Sequence, residues 1–210
     1  MASPKRIRRS RAASKQAILE ASEQLMLAEG PAAVRVQRVA GLVGVTDAAV
    51  HYHFGSREGL LEALLRHCGR RLVRDISMAD AAGPGLDLPA VSRAMTATYV
   101  NGGAARMMMW LALSGWRPQG SGMFSGLVDR AQARRPDAAR DETRYLIALL
   151  NAAHVSQAIL GEAMLRAVGA EWDEAGQGAF LDWVTRLVDE RLGVPTSPST
   201  SPPQPGQTHT

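Results

Sequence analysis

The chain has 210 residues and a mass of 22.5 kDa, and 46% of its residues are hydrophobic and 21% charged. These values are ordinary for a globular protein with a buried core, and they exclude a disordered, fibrous or disulfide-stabilised class. A single cysteine, Cys68, excludes an internal disulfide and a multi-cysteine zinc site. No apolar run approaches the roughly 20 residues of a membrane span, and no apolar signal core follows the basic N-terminus. We therefore expect a cytoplasmic protein with no membrane partner.

The excess positive charge lies in the first fifteen residues. This segment carries six basic side chains and no acidic one, whereas residues 16–75 contain seven of each and residues 76–210 contain eleven basic and thirteen acidic groups. Basic arms of this kind commonly bind nucleic acid through its phosphates. A solvated tail has the same composition, so the arm alone leaves both interpretations open.

Helical periodicity dominates the first 80 residues. We expect Ser14 to cap the first helix, Gly30-Pro31 to end it, and Ser56 to cap the fourth. The four predicted helices run over Ser14–Glu29, Val36–Leu42, Asp47–His53 and from Ser56 through Leu72.

Glycine and proline at residues 81–85 mark the clearest internal boundary. Beyond it, helical patterns continue and no alternating strand pattern occurs, so the predicted fold class is all-α. Residues 194–210 are rich in Pro, Ser and Thr, which predicts a disordered tail. The later predicted helices span about Leu88–Asn101, Ala104–Gly115, Gly122–Arg135, Ala138–Val168 and Asp173–Leu192.

The second and third predicted helices have the pattern of a helix-turn-helix. Val39 and Ala40 are expected to face inward, and the small Ala40 permits a close approach of the next helix. Gly44 supplies the turn's backbone angles, Val45 fills the angle between the helices, and Thr46 caps the third helix through its hydroxyl. The exposed side of a short third helix can then enter the major groove of DNA.

The first 70 or so residues resemble the DNA-binding domain of the TetR (tetracycline-repressor-like) family of bacterial transcriptional regulators. Order and spacing of several short motifs carry this resemblance, which covers about a third of the chain. The matching segments are Ile18-Leu19-Glu20-Ala21 through Leu25 and Gly30, Val39-Ala40, Val43-Gly44-Val45-Thr46, Tyr52-His53-Phe54, Ser56-Arg57-Glu58 and Leu60-Leu61.

The resemblance implies a homodimeric repressor that a small effector releases from double-stranded operator DNA, without enzymatic activity or a cofactor. It divides the chain into a basic arm (1–15), a helix-turn-helix domain of three helices (14–74), a helical ligand-binding and dimerisation domain (80–193) and a tail (194–210). The recognition helix, the arm and nearby basic positions are then the candidate DNA contacts. They are Arg6, Arg8, Arg9, Arg11, Lys15, Arg35, Thr46, Asp47, Ala48, Ala49, His51, Tyr52, His53 and Arg57.

Four of these positions depart from the family pattern. Arg35 replaces a Thr that caps the second helix beside a phosphate, and His51 replaces the first Tyr of the recognition helix. Asp47 replaces a commonly neutral or basic residue, and Arg57 keeps the charge of the usual Lys. These changes bear on which operator is read. For Tyr52, DNA contact and packing in the core remain equal alternatives.

The second predicted domain concentrates Met and aromatic residues, together with three polar side chains on one side of a long helix. For any single residue a core position is the simpler interpretation, but collectively they indicate a pocket for a neutral or weakly charged, apolar or aromatic effector. The candidate pocket residues are Tyr99, Met107, Trp110, Leu111, Trp116, Met123, Phe124, Asn151, His154 and Gln157.

The last two predicted helices have broad apolar faces, which can pair with those of a second copy in a four-helix bundle. The candidate dimer residues are Leu146, Leu150, Leu160, Phe180, Trp183, Val184 and Leu187. Two other functions stay open: an architectural protein that binds DNA nonspecifically, and a helical-bundle enzyme. No catalytic motif is present, and His51 and His53 are spaced two apart on a helix, so no metal site is predicted.

Overall fold

The structure, a computed structural model, describes residues 10–81, 86–117, 122–170 and 173–193. These residues form nine α-helices and no strand, which confirms the predicted all-α class. A 3₁₀ turn (Pro31–Ala33) follows the first helix, and a π-helical turn (Ala97–Asn101) follows the fifth. The helices are α1 (Arg11–Glu29), α2 (Val36–Val43), α3 (Asp47–Phe54), α4 (Arg57–Ala81), α5 (Leu88–Thr96), α6 (Ala104–Leu113), α7 (Ser125–Ala133), α8 (Arg140–Ala167) and α9 (Glu174–Gly193).

The predicted start of α1 at Ser14 is wrong. The N-cap is Ser10, whose Oγ accepts a hydrogen bond from the Ala13 N–H at 3.2 Å, so the helix begins at Arg11. The apolar pattern first becomes visible at Ile18 because the first turns of the helix lie in solvent. An exposed helical segment has no hydrophobic period, so only its capping residue marks the start.

The two other predicted caps are confirmed. The Thr46 hydroxyl accepts from the Ala49 N–H at 3.2 Å, and the Ser56 hydroxyl accepts from the Gly59 N–H at 3.1 Å. Each satisfies an amide in the first turn that has no partner within the helix. The starts of α3 and α4 are therefore determined locally.

Several helices of the second half are shorter than predicted, and glycines with positive φ explain two of the differences. Gly115 has φ of 87°, and α6 ends before it at Leu113. Gly122 has φ of 77°, so α7 begins at Ser125 rather than at Gly122. An α-helix requires negative φ, so neither glycine can lie inside one.

The helix-turn-helix has the predicted packing. Val39, Ala40 and Val50 are buried, and Val45 packs half-buried against them. Gly44 ends α2 in the left-handed conformation, with φ of 73°. The α2–α3 pair is thus held by a few apolar side chains and by one turn that favours glycine.

The long helix α4 connects the N-terminal helices to the rest of the fold. Its buried side chains contribute to one continuous core that extends from Ile18 of α1 to Leu192 of α9. Residues 82–85 of the predicted boundary and the predicted tail lie outside the described residues. Within the described ranges, α8 is the one helix whose length and apolar composition match a membrane span, a property that core helices of soluble proteins share.

Candidate functional site

Helix α3 lies on the surface with most of its side chains in solvent. Val50 is its one buried residue and Phe54 is half-buried, whereas Asp47, Ala48 and His51 are exposed. Tyr52 is 68% exposed, which excludes the alternative that it packs in the core. The helix therefore offers a side that can enter a DNA groove without any rearrangement of the core.

Cations of α1 lie beside the aromatic end of α3. The Arg11 guanidinium is 5.0 Å from the centroid of the Tyr52 ring, and the Lys15 Nζ is 5.9 Å from that of Phe54. Burial, with a further contribution from these two cations, lowers the pKa of His53. His53 is consequently neutral at pH 7, and the positive charge next to α3 comes from Arg11 and Lys15.

The remaining predicted DNA contacts are distributed around α3. Thr46 and Arg35 are exposed residues that precede α3 and α2 respectively, and Ala49 is half-buried. The His51 Nδ1–H donates to the Gly55 carbonyl oxygen at 2.8 Å. The arm residues Arg6, Arg8 and Arg9 lie outside the described residues.

Arg57 is engaged within the protein. Its Nε donates to the Val34 carbonyl oxygen at 2.7 Å and its Nη2 donates to that of Pro31 at 2.8 Å. The guanidinium also lies 4.3 Å from the centroid of the Trp110 ring on α6. Arg57 therefore connects the turn before α2 to the second half of the fold, and Trp110, a predicted pocket residue, packs against it.

A cavity of about 590 Å³ opens between α4, the π-helical turn, α6 and the residues that follow α6. Three of the predicted pocket residues line it, namely Tyr99, Trp116 and Met123. Burial raises the pKa of Tyr99 to about 12, so its phenol stays protonated at neutral pH. The Trp116 Nε1–H is buried and has no hydrogen-bond partner among the described residues.

Sequence reasoning missed the contribution of α4 to this cavity. Leu65, Cys68 and Leu72 form an apolar wall, and Arg66 and Arg70 also line the cavity. The sequence does contain a signal for this wall, because apolar residues continue at helical spacing beyond Leu61. That spacing indicates only a buried face, because nothing in a single sequence shows which helix packs against α6.

The other predicted pocket residues are located elsewhere. Met107 and Leu111 are fully buried in the core, and Phe124 packs half-buried against it. His154 is buried, with its Nδ1–H donating to the Leu150 carbonyl at 2.8 Å and its Nε2 accepting from the Ser92 hydroxyl at 3.0 Å. Burial lowers the pKa of this histidine, in keeping with a neutral structural group.

Asn151 and Gln157 flank this buried histidine on α8. The Asn151 Oδ1 is buried without a hydrogen-bond partner among the described residues. Gln157 lines a separate cleft of about 400 Å³ between α5, α8 and α9, where its amide lies 3.4 Å from the Gln177 carbonyl. The three polar residues of α8 therefore do not line the 590 Å³ cavity.

The predicted dimer residues divide between the core and the surface. Leu150 and Val184 are buried within the chain, Leu146, Phe180 and Leu187 are half-buried, and Leu160 and Trp183 are exposed. Leu149 and Met164, which are not among the candidate dimer residues, are exposed as well. We refer to the exposed apolar residues Leu149, Leu160, Met164 and Trp183 as the α8–α9 face.

Comparison with known proteins supports the interpretation of the N-terminal helices. Residues 18–64 match the family model described as "Bacterial regulatory proteins, tetR family". The chain is 38% identical over 58 residues to the HTH-type transcriptional repressor Rv3405c of Mycobacterium tuberculosis and to the HTH-type transcriptional regulator Mb3439c of Mycobacterium bovis. This match covers 28% of the chain and 31% of each relative, so it spans less than a third of the relatives' own length.

The likeness in fold extends further along the chain than the likeness in sequence. A TetR-family transcription regulator from Shewanella sp. PV-4 superposes with a TM-score of 0.50 and 17% sequence identity, over 83% of this chain and 97% of that one. At this identity the match bears on the fold alone. The shared fold therefore includes residues beyond the segment that matches in sequence.

Proposed function

We propose that this chain, whose residues 18–64 match the TetR family of bacterial regulatory proteins, is a homodimeric, cytoplasmic transcriptional repressor that a small effector releases from operator DNA. The observation that carries the proposal is the geometry of α3. Its side chains are exposed above a single buried residue, Val50, and two cations of α1 lie next to it. The match to the family model covers residues 18–64, which include α3.

We expect different residues around α3 to have different roles in DNA binding. The exposed residues Asp47, Ala48, His51 and Tyr52 are available for base or backbone contacts, whereas Arg11 and Lys15 supply charge toward the phosphates. Thr46 and Arg35 stand at helix N-termini, where free backbone amides favour a phosphate. We propose a positioning role for Arg57 in place of the DNA contact expected from the sequence, because its guanidinium already binds two carbonyl oxygens.

Replacement of Tyr52 tests this proposal. Tyr52→Ala removes a ring that is 68% exposed, so we expect loss of specific DNA binding with an unchanged thermal melt. Binding is measured by fluorescence anisotropy on a duplex selected by the wild-type protein. The matched control is Val50→Ala in the same helix, which should lower the free energy of unfolding by about 2 kcal/mol. If Tyr52→Ala binds that duplex as the wild type does, α3 is not the recognition element.

The effector site proposed here is the 590 Å³ cavity, since its size suits a small organic ligand and its walls are mainly apolar. It is formed by α4 and α6 together, and α4 begins directly after α3 and its turn. A ligand that favours one arrangement of these helices would shift the position of α3 and thereby the affinity for DNA.

The proposed dimer uses the α8–α9 face. On α8, Leu149, Leu160 and Met164 fall within about 60° of one another at 100° per residue, so they form one stripe. Trp183 of α9 is 55% exposed, which is unusual for so large an apolar side chain. Pairing with a second copy would remove this surface from water.

The two alternative functions make different predictions. An excess of random competitor DNA would displace an architectural protein from the operator duplex completely. A specific repressor stays bound to its operator under the same conditions. The family assignment favours a regulator over an enzyme, and a reaction screen addresses the enzyme directly.

A further inference from the structure

The polar groups of the cavity differ from those expected from the sequence. The sequence predicts a neutral effector because it assigns amide and imidazole groups of α8 to the pocket. The structure places His154 in an internal hydrogen-bond pair and Gln157 in another cleft. The polar side chains that line the cavity are Arg66, Arg70, Thr98, Tyr99 and Trp116. The two guanidinium groups and the indole N–H only donate hydrogen bonds, the two hydroxyls can also accept, and none of these side chains is a carboxylate.

The two arginines of α4 differ in their partners. Arg66 lies 3.4 Å from the Glu62 carboxylate one helical turn away, a distance that makes for a weak ion pair. Arg70 forms no ion pair with an acidic side chain among the described residues. An anion at the cavity entrance would therefore find at least one guanidinium available.

The third donor lies deeper. The Trp116 Nε1–H is buried and unpartnered, although the residue's backbone is held by a hydrogen bond from its N–H to the Leu111 carbonyl at 3.0 Å. A buried donor without an acceptor carries a cost in free energy. Leu65 and Leu72 provide apolar walls of the cavity, and Tyr99 provides an aromatic one.

We propose that this cavity binds an apolar organic anion, with its hydrophobic body among these walls and its acid group at Arg70. The inference rests on the proposed effector-responsive function and specifies the ligand class. The acid group meets guanidinium at the exposed end of the site, where charge is not desolvated, while the body is removed from water. A neutral ligand of the same shape makes the apolar contacts but not the charge-assisted hydrogen bond.

A matched pair of fluorescent probes tests the ligand class. 1-Anilinonaphthalene-8-sulfonate and N-phenyl-1-naphthylamine share one aromatic skeleton, and only the first carries an anionic group. We expect the sulfonate probe to bind the full-length protein more tightly, and Arg70→Gln to weaken that binding about three- to tenfold without changing the affinity for the neutral probe. Arg74→Gln, an exposed change on α4 outside the cavity lining, is the matched control and should affect neither.

A second variant locates the binding. Val73 lines the cavity and is only half-buried, so Val73→Trp should fill the space without disturbing the core and abolish binding of both probes. Equal affinity for the two probes, or an equal effect of Arg70→Gln on both, would overturn the proposal. Persistence of both probes in Val73→Trp would place the binding elsewhere and overturn it too.

Release of operator DNA separates this inference from the proposed function. If only neutral aromatic compounds release the DNA, the ligand class is wrong and the effector-responsive function stands. If the sulfonate probe binds with the expected dependence on Arg70 but no compound that displaces it releases DNA, the site stands and the effector-responsive function fails.

Discussion

Arg57 shows how a single residue can be assigned differently by sequence and by structure. At its position in the motif, a basic residue suggests a phosphate contact, and the resemblance implies that role. The structure instead places its guanidinium on two carbonyl oxygens and over the Trp110 ring. Tyr52 is the opposite case, since its exposure excludes packing in the core, one of the two alternatives that the sequence leaves open, and keeps DNA contact as a prediction. Single-residue roles are predictable only where local geometry decides them, as at the Thr46 and Ser56 caps.

Replacement of Arg57 should destabilise the fold. We expect Arg57→Gln to lower the free energy of unfolding by about 1–3 kcal/mol, because the change removes two hydrogen bonds and a cation–π interaction together. Urea denaturation measures this, with the exposed Arg74→Gln as control. Unchanged stability combined with weaker DNA binding and a smaller salt dependence would identify Arg57 as a phosphate contact after all.

At the scale of elements, the helix-turn-helix could be predicted almost to the residue. Its boundaries depend on caps and on Gly44, all of which are local signals. Periodicity also identifies the helices of the second half, but their ends differ from the prediction where Gly115 and Gly122 adopt positive φ. The predicted start of α1 is misplaced because its first turns carry no apolar periodicity. Ser10, which caps this helix, lies within the basic arm, directly after Arg8 and Arg9.

Because Ser10 caps α1, a test of the arm has to leave this residue in place. Changing Lys5, Arg6, Arg8 and Arg9 to Gln removes the charges and keeps the cap, whereas a deletion through Ser10 would remove both. We expect weaker binding to all DNA and a log–log salt slope smaller by up to about 0.9 for each phosphate that one of these cations neutralises. Arg186→Gln, an exposed change on α9, should leave the slope unaltered. An unaltered slope in the arm variant would show that the arm does not touch DNA.

At the scale of the whole molecule, the sequence predicts that a pocket is present better than it predicts which residues line it, and the dimer face stays a prediction. Both depend on which helices pack together, which a single sequence does not encode locally. The wall contributed by α4 escapes prediction for this reason, and Leu150 and Val184, predicted in the dimer face, are buried within the chain. Apolar periodicity identifies a buried face but does not distinguish an intramolecular partner from a second copy.

Charges on the α8–α9 face should separate the proposed dimer. Leu160→Glu combined with Trp183→Glu places two carboxylates in an apolar interface, so we expect a monomer of about half the wild-type mass in sedimentation equilibrium. The matched control is Leu113→Glu, which changes an apolar residue that is 81% exposed on α6. Wild-type mass in the double variant, or a monomeric wild type, would exclude this face as the dimer interface.

The most direct measurement is selection of DNA by the purified full-length protein from a pool of random-sequence duplexes, followed by sequencing. A homodimeric repressor that reads DNA through α3 should enrich an inverted repeat, because two identical recognition helices related by twofold symmetry read two identical half-sites. The Tyr52→Ala variant should enrich nothing from the same pool. Sequences from the wild type that are indistinguishable from the input would contradict specific recognition and leave a nonspecific DNA-binding protein.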